Sequence, residues 1–140
     1  MKNIKPTYTR KISPKLGLLG FLGFLGLIGF VPWFLDFTDI LAVPFPFLFF
    51  SFFGFFGFYY EGKMSETFID ERFQSNIYRA ESIANKVSLA IIIGVAILTI
   101  SILRLNSYDT LSVIIATIGL SFGLSIFLQS YLLFRFENEA

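Results

Sequence analysis

Long apolar blocks separated by short polar ones dominate the pattern of this chain. The first block runs from Leu16 to Leu35 and meets no charge until Asp36. The second runs from Ile40 to Tyr60, also uncharged. The third extends from about Ala84 to Leu103, with Lys86 near its start and Arg104 just past its end. The fourth covers Leu111 to Phe134. A spanning helix needs about 20 mostly apolar residues. The pattern therefore predicts an all-α membrane protein, one integral membrane domain over 1–140, with four transmembrane helices in two hairpins at 16–35, 40–60, 84–103 and 111–134. A basic cytoplasmic arm (1–15), a cytoplasmic helix or loop (61–83) and a cytoplasmic tail (135–140) complete it.

Within the first block glycine recurs at every third position: Gly17, Gly20, Gly23, Gly26 and Gly29. On an α-helix each three-residue step turns 300°, so these glycines should drift by 60° per step and wind a groove around the helix. A dimer seam of the GxxxG kind needs spacing of four instead. The second block is crowded with phenylalanine from Phe45 to Phe58, with Gly54 and Gly57 between. Phenylalanines of one helix filling glycine notches of the other is the simplest account of both compositions.

Pro32, Pro44 and Pro46 bracket the first outer turn. Proline suits the first turn of a helix and disrupts its interior, so the second helix is expected to begin near Pro44 or Pro46. Val31 to Val43 then form an outer interfacial segment, with Trp33 at the headgroup level. Asp36 and Asp39 read as solvated carboxylates. Two such side chains fall short of the six to eight oxygen ligands of a Ca²⁺ site.

The stretch from Glu61 to Ile83 is the most distinctive polar region. Ser65 or Thr67 is expected to cap a helix, with Asp70 three residues after Thr67 completing a capping-box-like pattern. Apolar residues recur at Ile69, Phe73, Ile77, Ala80, Ala84 and Val87, spaced as one helical face. That helix should run straight into the third span. A membrane-surface helix usually has a Lys/Arg-rich polar face, whereas this one is mixed and slightly acidic. Its stripe, with Ile69, Phe73 and Ile77 foremost, is therefore expected to pack against the bundle, a second copy or a cytosolic protein partner. Asp70 and Glu71 are adjacent, point about 100° apart on a helix, and cannot form a facing acid/base pair.

In order along the chain come LGLLGFLGFLGLIGF, the Phe-rich second span, Asp70-Glu71-Arg72-Phe73, then Asn76 and Arg79-Ala80 at the entry to a hydrophobic helix. This order resembles a domain-of-unknown-function family of small polytopic bacterial membrane proteins. Its members carry an LGFLGFLG-type first span and a DERF-N-x-x-A-like segment before the third. The resemblance covers roughly residues 15 to 100. It implies a small multi-pass protein of the bacterial cell membrane, often encoded next to a small helix-turn-helix regulator, and it carries over no reaction, ligand or site residue.

The third block has a small-xxx-small pair, Ala90 and Gly94. The fourth has Gly119 and Gly123, a true GxxxG, and roughly opposite them a polar stripe at spacing four: Thr117, Ser121, Ser125 and Gln129. The two faces suit helix packing, one through small residues and one through hydrogen bonds. Ser121 and Ser125, with the seven glycines at 17, 20, 23, 26, 29, 119 and 123, are the expected helix-packing residues.

Composition sharpens this picture. Hydrophobic residues make up 55% of the 140 and charged residues 15%, well below the roughly 25% of soluble domains. A soluble globule of this size could not hide so much apolar surface, so the lipid bilayer is the expected solvent. All Lys and Arg except Arg104 fall on one side of the four-span scheme. The positive-inside rule then puts both termini and the central stretch in the cytoplasm. The first block is too long for a signal-peptide core and lacks a small-residue cleavage site, so a retained helix is expected. No lipidation pattern is present.

The chemistry available is sparse. Cys and His are both absent, which removes disulfides, thiol chemistry, imidazole or thiolate metal sites and Ser-His or Cys-His nucleophiles. No ionisable residue lies mid-span, and a charge there is the default functional marker of a membrane protein. No catalytic, metal or cofactor site is expected, and the net charge of +1 argues against a nucleic-acid partner. The expected function is that of a non-enzymatic membrane accessory protein acting by helix contacts, as in peptide immunity or modulation of a membrane or regulatory partner. The alternative is a small homo-oligomeric channel or transporter, with the Thr117 to Gln129 stripe as a pathway wall.

Overall fold

A computed structural model describes residues 6–35 and 44–139. Lys2, Lys5, Asp36 and Asp39 lie outside the described residues, as does most of the expected outer interfacial segment. In chain order come a 3-10 helix η1 (Pro14–Phe30), a single turn α1 (Val31–Phe34), a second 3-10 helix η2 (Phe45–Phe56), and α2 (Gly57–Lys63). Then follow α3 (Glu71–Leu98), a π-helical turn (Thr99–Leu103) and α4 (Ser107–Asn138). Among the described residues there is no strand, only an isolated antiparallel bridge between Tyr8 and Phe68. Three helices are long and apolar enough to cross a membrane, Pro14–Phe34, Glu71–Leu103 and Ser107–Asn138, which fits a membrane protein. The second apolar block is helical from Phe45, with Pro44 at the cap position and Pro46 in the first turn.

The main correction to the sequence reading concerns the first hairpin. The expected α-helix is a 3-10 helix of 17 residues, and the Phe-rich helix is 3-10 over 12 residues. Such runs rarely exceed four residues because their hydrogen bonds are poorly aligned. Here tertiary packing outweighs that cost. With three residues per turn, side chains at i and i+3 eclipse. The glycines therefore do not drift but stand in one column, and all five are buried. Phe47, Phe50, Phe53 and Phe56 form the matching column on η2, running the opposite way. A β-carbon built on Gly29, Gly26, Gly23 or Gly20 would strike the ring of Phe47, Phe50, Phe53 or Phe56 respectively, and one on Gly17 would meet Tyr59. Each step of three up one helix is thus a step of three down the other, and the register closes at every turn.

The rings reinforce one another. Phe50 and Phe53 stack at 6.0 Å, and Phe53 and Phe56 at 6.2 Å. Phe24 meets Phe53 edge-on at 5.2 Å, and Phe21 meets Phe56 likewise at 5.2 Å. Edge-to-face and offset contacts contribute roughly 0.5–1.5 kcal/mol beyond buried area. A second column, Phe49, Phe52, Phe55 and Phe58, stacks along another face of the hairpin.

The Leu48, Ser51 and Gly54 column of η2, about 120° round the helix from the first, packs on α4, and there it is the backbone that approaches. A β-carbon on Gly119 would lie 2.8 Å from the Phe47 carbonyl oxygen, and one on Gly123 would lie 2.9 Å from that of Ser51. Gly54 and Gly57 return the fit against Gly123, Ile126 and Ser130. The far face of α4 meets α3, where Ser88 Oγ donates to the Ser121 carbonyl at 2.8 Å and Ser125 Oγ donates to Asn85 Oδ1 at 2.8 Å. The contacts thus link the helices in the order η1, η2, α4, α3.

Two smaller corrections concern helix ends. Neither Ser65 nor Thr67 caps α3. Asp70 does, its Oδ1 accepting from Phe73 N at 2.7 Å. Ile69 accordingly precedes the helix, and the buried stripe of α3 is Phe73, Ala80, Ala84 and Ser88, with Val87 turned outward. α4 starts four residues before the expected Leu111, because Asn106 caps it through the Asp109 amide at 2.8 Å. It also continues past Phe134 to Asn138.

Candidate functional site

The residues that line one well-formed hollow come from four parts of the chain. The first wall is the arm after Pro6, which runs beside Met64–Ile69. Thr9 N donates to the Thr67 carbonyl at 2.8 Å and Ile69 N to the Thr7 carbonyl at 2.9 Å. Thr9 Oγ1 donates to the Met64 carbonyl and accepts from Thr67 N. Ser65 Oγ accepts from Ile12 N at 2.8 Å and donates to the Ile12 carbonyl at 2.7 Å. Ser65 and Thr67, denied the cap role, thus fasten the arm. Glu66 adopts a left-handed backbone, φ 57°, at the turn between them, and its carboxylate sits 3.4 Å from Lys11 Nζ. Gly62 lets Pro14 approach closely, since a β-carbon there would strike the Pro14 backbone.

The second wall is the first half of α3. Its end is clamped to the end of α4 by Glu137, which accepts from Asn76 Nδ2 at 2.6 Å and pairs with Arg72 at 3.1 Å. The Arg79 guanidinium lies 4.4 Å from the Phe136 ring centre. The third wall is α4 at Gln129, Ser130 and Leu133. The fourth is the end of α2, where Glu61 accepts from Ser130 Oγ at 3.0 Å and stands 3.9 Å from Arg10.

These walls enclose an open cleft of about 310 Å³. Its apolar lining includes Ile12, Met64, Ile69, Phe73, Ile77 and Leu133, and Arg10, Glu61, Glu81 and Gln129 supply its polar chemistry. The sequence-predicted residues Ile69, Phe73 and Ile77 are brought together in this lining. Phe73 is buried in its floor, 2% exposed, while Ile69 and Ile77 are half-buried. Sequence reasoning missed Thr9, Arg10, Ile12, Glu61 and Met64. The signal that could have found the arm is its β-favouring Thr7-Tyr8-Thr9 opposite Thr67-Phe68-Ile69.

The remaining predicted residues lie away from the cleft. The five glycines of η1 serve the zipper, and Gly119 and Gly123 receive η2. Ser121 and Ser125 face α3, and the Ser121 hydroxyl is buried without a partner among the described residues. Thr117, of the same stripe, donates to its own helix at the Val113 carbonyl. The cleft offers apolar surface edged by charge. Among the described residues, no group of three or more His, Cys, Asp or Glu is arranged to hold a metal ion. Comparison of the chain with protein-family models, with curated proteins and with solved structures brings out no match in any of the three.

Proposed function

We propose that this chain is a four-span protein of the bacterial cell membrane, with both termini cytoplasmic. In this reading it acts without catalysis, as an accessory protein that receives a partner in the cleft between the arm, α3 and α4. The span lengths support the topology. At about 2.0 Å per residue, η1 covers about 34 Å, against about 26 Å for the same 17 residues in an α-helix. The 12 residues of η2 and the four uncharged residues of α2 up to Tyr60 together cover about 30 Å. Both reach across the roughly 30 Å hydrocarbon core. Arg10, Lys11, Lys63, Arg72, Arg79 and Arg135 then gather at one end, the cytoplasmic one by the positive-inside rule. Kinship with the domain-of-unknown-function family belongs to the same reading.

The single observation that carries the function is the cleft itself. A concave, mostly apolar hollow with a few polar groups is the usual form of a binding site. The amphipathic half of α3, which reaches it, makes no repeated contact with η1 or η2.

In-cell photocrosslinking tests this. A photoreactive residue at Ile69 or Ile77 should capture a distinct protein that the same residue at Ile97, 60% exposed on the apolar half of α3, does not. Capture of the chain's own copies alone would sink the accessory reading. Ion flux through liposomes holding only this protein, lost when Ser121 and Ser125 are changed to Leu, would favour the channel alternative.

A further inference from the structure

The charges of the cleft say more about its occupant than its shape does. Two carboxylates, Glu61 and Glu81, and a single guanidinium, Arg10, are among its lining. Glu61 is engaged by Ser130 and Arg10. Glu81 is exposed and takes part in no ion pair among the described residues. The Arg10 side chain is 77% exposed and only loosely held at 3.9 Å, so it can swing aside. What remains is an apolar floor whose lining also holds an unspent carboxylate, Glu81, and the Gln129 amide.

The floor also has a direction. Phe73, Ile77 and Ala80 follow one another along α3 at helical spacing, and Leu133 of α4 lies across from them. Such a floor between two helices suits anchors at i, i+3 or i+4 from an amphipathic helix. A cleft of about 310 Å³ has room for side-chain anchors and not for a whole domain. An anionic lipid headgroup or free phosphate would meet two carboxylates for one guanidinium, an unfavourable balance at close range.

We infer that the occupant is a cationic amphipathic peptide helix, with its apolar residues on the Phe73–Ile77 floor and a Lys or Arg paired with Glu81. This rests on the docking reading above and names the chemistry of the partner. The Glu81 pair selects among helices that the floor would otherwise accept alike. Arg10, already beside Glu61, leaves Glu81 as the carboxylate open to the incoming cation and adds a like charge to the same lining.

The test uses the full chain in nanodiscs of phosphatidylcholine, with a photoreactive residue at Ile77. The probes are two helical peptides of about four turns, long enough to span the floor, one of Leu and Lys and one of Leu and Glu in the same pattern. The Leu/Lys peptide should crosslink at Ile77 and the Leu/Glu peptide should not. Glu81→Gln should weaken the Leu/Lys peptide by about two- to fivefold, the scale of one exposed charge pair. Glu81→Lys should weaken it further, and Arg10→Gln should strengthen it. Glu81 is exposed and outside every ion pair among the described residues, and Arg10 gives up only a loose, exposed pair, so these exchanges leave the fold intact, which circular dichroism checks. Equal crosslinking of both peptides, or indifference to Glu81→Lys, would overturn the charge selection while the docking reading stands. Failure of both peptides at Ile77, with a cellular partner still captured there, would show that the partner is not a cationic helix. Failure in cells and in nanodiscs alike would remove the docking reading as well.

Discussion

Phe53 lies over Gly23 so closely that a β-carbon at Gly23 would come within 2.5 Å of its ring. The ring has little room to retreat. It stacks between Phe50 and Phe56 and takes the edge of Phe24 at 5.2 Å. Gly23→Ala is therefore expected to destabilise the hairpin by about 1–3 kcal/mol, the scale of core overpacking. Reversible unfolding in mixed detergent micelles reads this directly. A neutral Gly23→Ala variant would mean that the two helices are not in contact at this register.

The helix type has its own signature, which needs no perturbation of the zipper. Leu16 and Leu27 are both exposed on η1 and eleven residues apart. Over that interval a 3-10 helix rises about 22 Å and leaves the two positions about 120° apart, whereas an α-helix rises about 16.5 Å and brings them nearly onto one face. The chain has no native cysteine, so spin labels attached through the paired substitutions Leu16→Cys and Leu27→Cys report without background. Pulsed dipolar spectroscopy should give a distance at least about 5 Å longer than for Tyr78→Cys with Leu89→Cys, the same interval on α3. Equal distances would restore the α-helix and scatter the glycine column.

That column explains how far the sequence could be read. The glycine period of three was visible from the start, and so was its partner, the phenylalanines of the next helix. What could not be derived from η1 alone was the helix type, because a long 3-10 helix is intrinsically disfavoured. It is stabilised here only because Phe47, Phe50, Phe53 and Phe56 carry the same period. Two matching periods of three on neighbouring helices were the signal, and it lay between the elements and not within either. The apolar blocks and the faces of α4 were legible because their periods are those of ordinary helices. The cleft was legible by half. The stripe at Phe73 and Ile77 announces itself by spacing, whereas Thr9, Ile12 and Met64 join it through pairing of the arm with Met64–Ile69, which leaves no periodic trace.

The start of α3 depends on one carboxylate. Asp70 Oδ1 accepts from the Phe73 amide at 2.7 Å, satisfying one of the free N–H groups of the first turn. Asp70→Ala should cost about 1 kcal/mol and speed hydrogen exchange at the Phe73 amide. Thr67→Ala should leave that amide protected, since the Thr67 side chain is not the cap. The reverse pattern would return the cap to Thr67.

Ser88 and Ser121 lie at one crossing yet differ in consequence. Ser88 Oγ donates to the Ser121 carbonyl at 2.8 Å, whereas Ser121 Oγ is buried with no partner among the described residues. Interhelical hydrogen bonds of this kind contribute about 0.6 kcal/mol on average within a bilayer. Ser88→Ala should destabilise by about that amount, while Ser121→Ala should be neutral or slightly stabilising, because a buried unpaired hydroxyl is relieved. Unfolding of the two variants side by side decides the matter. A larger loss at Ser121 would require a partner for its hydroxyl.

Gly94 and Gly119 are both glycines of apolar helices, and they should respond oppositely to a methyl group. At Gly119 a β-carbon would sit 2.8 Å from the Phe47 carbonyl oxygen, a backbone atom that cannot turn aside. Gly119→Ala should therefore force η2 and α4 apart and cost about 1–3 kcal/mol. At Gly94 nothing lies within 4 Å, and an alanine there gains helix propensity worth about 1 kcal/mol. Gly94→Ala should thus stabilise the isolated chain, or leave it unchanged where lipid already favours the helix. Neighbouring Ala90 is exposed on the same helix, so the pair forms an open small-residue face. If Gly94→Ala instead destabilises, and does so only at protein concentrations where copies associate, then another backbone occupies that face. Unfolding measured across a dilution series separates the two cases, because a stabilisation internal to one chain does not depend on concentration.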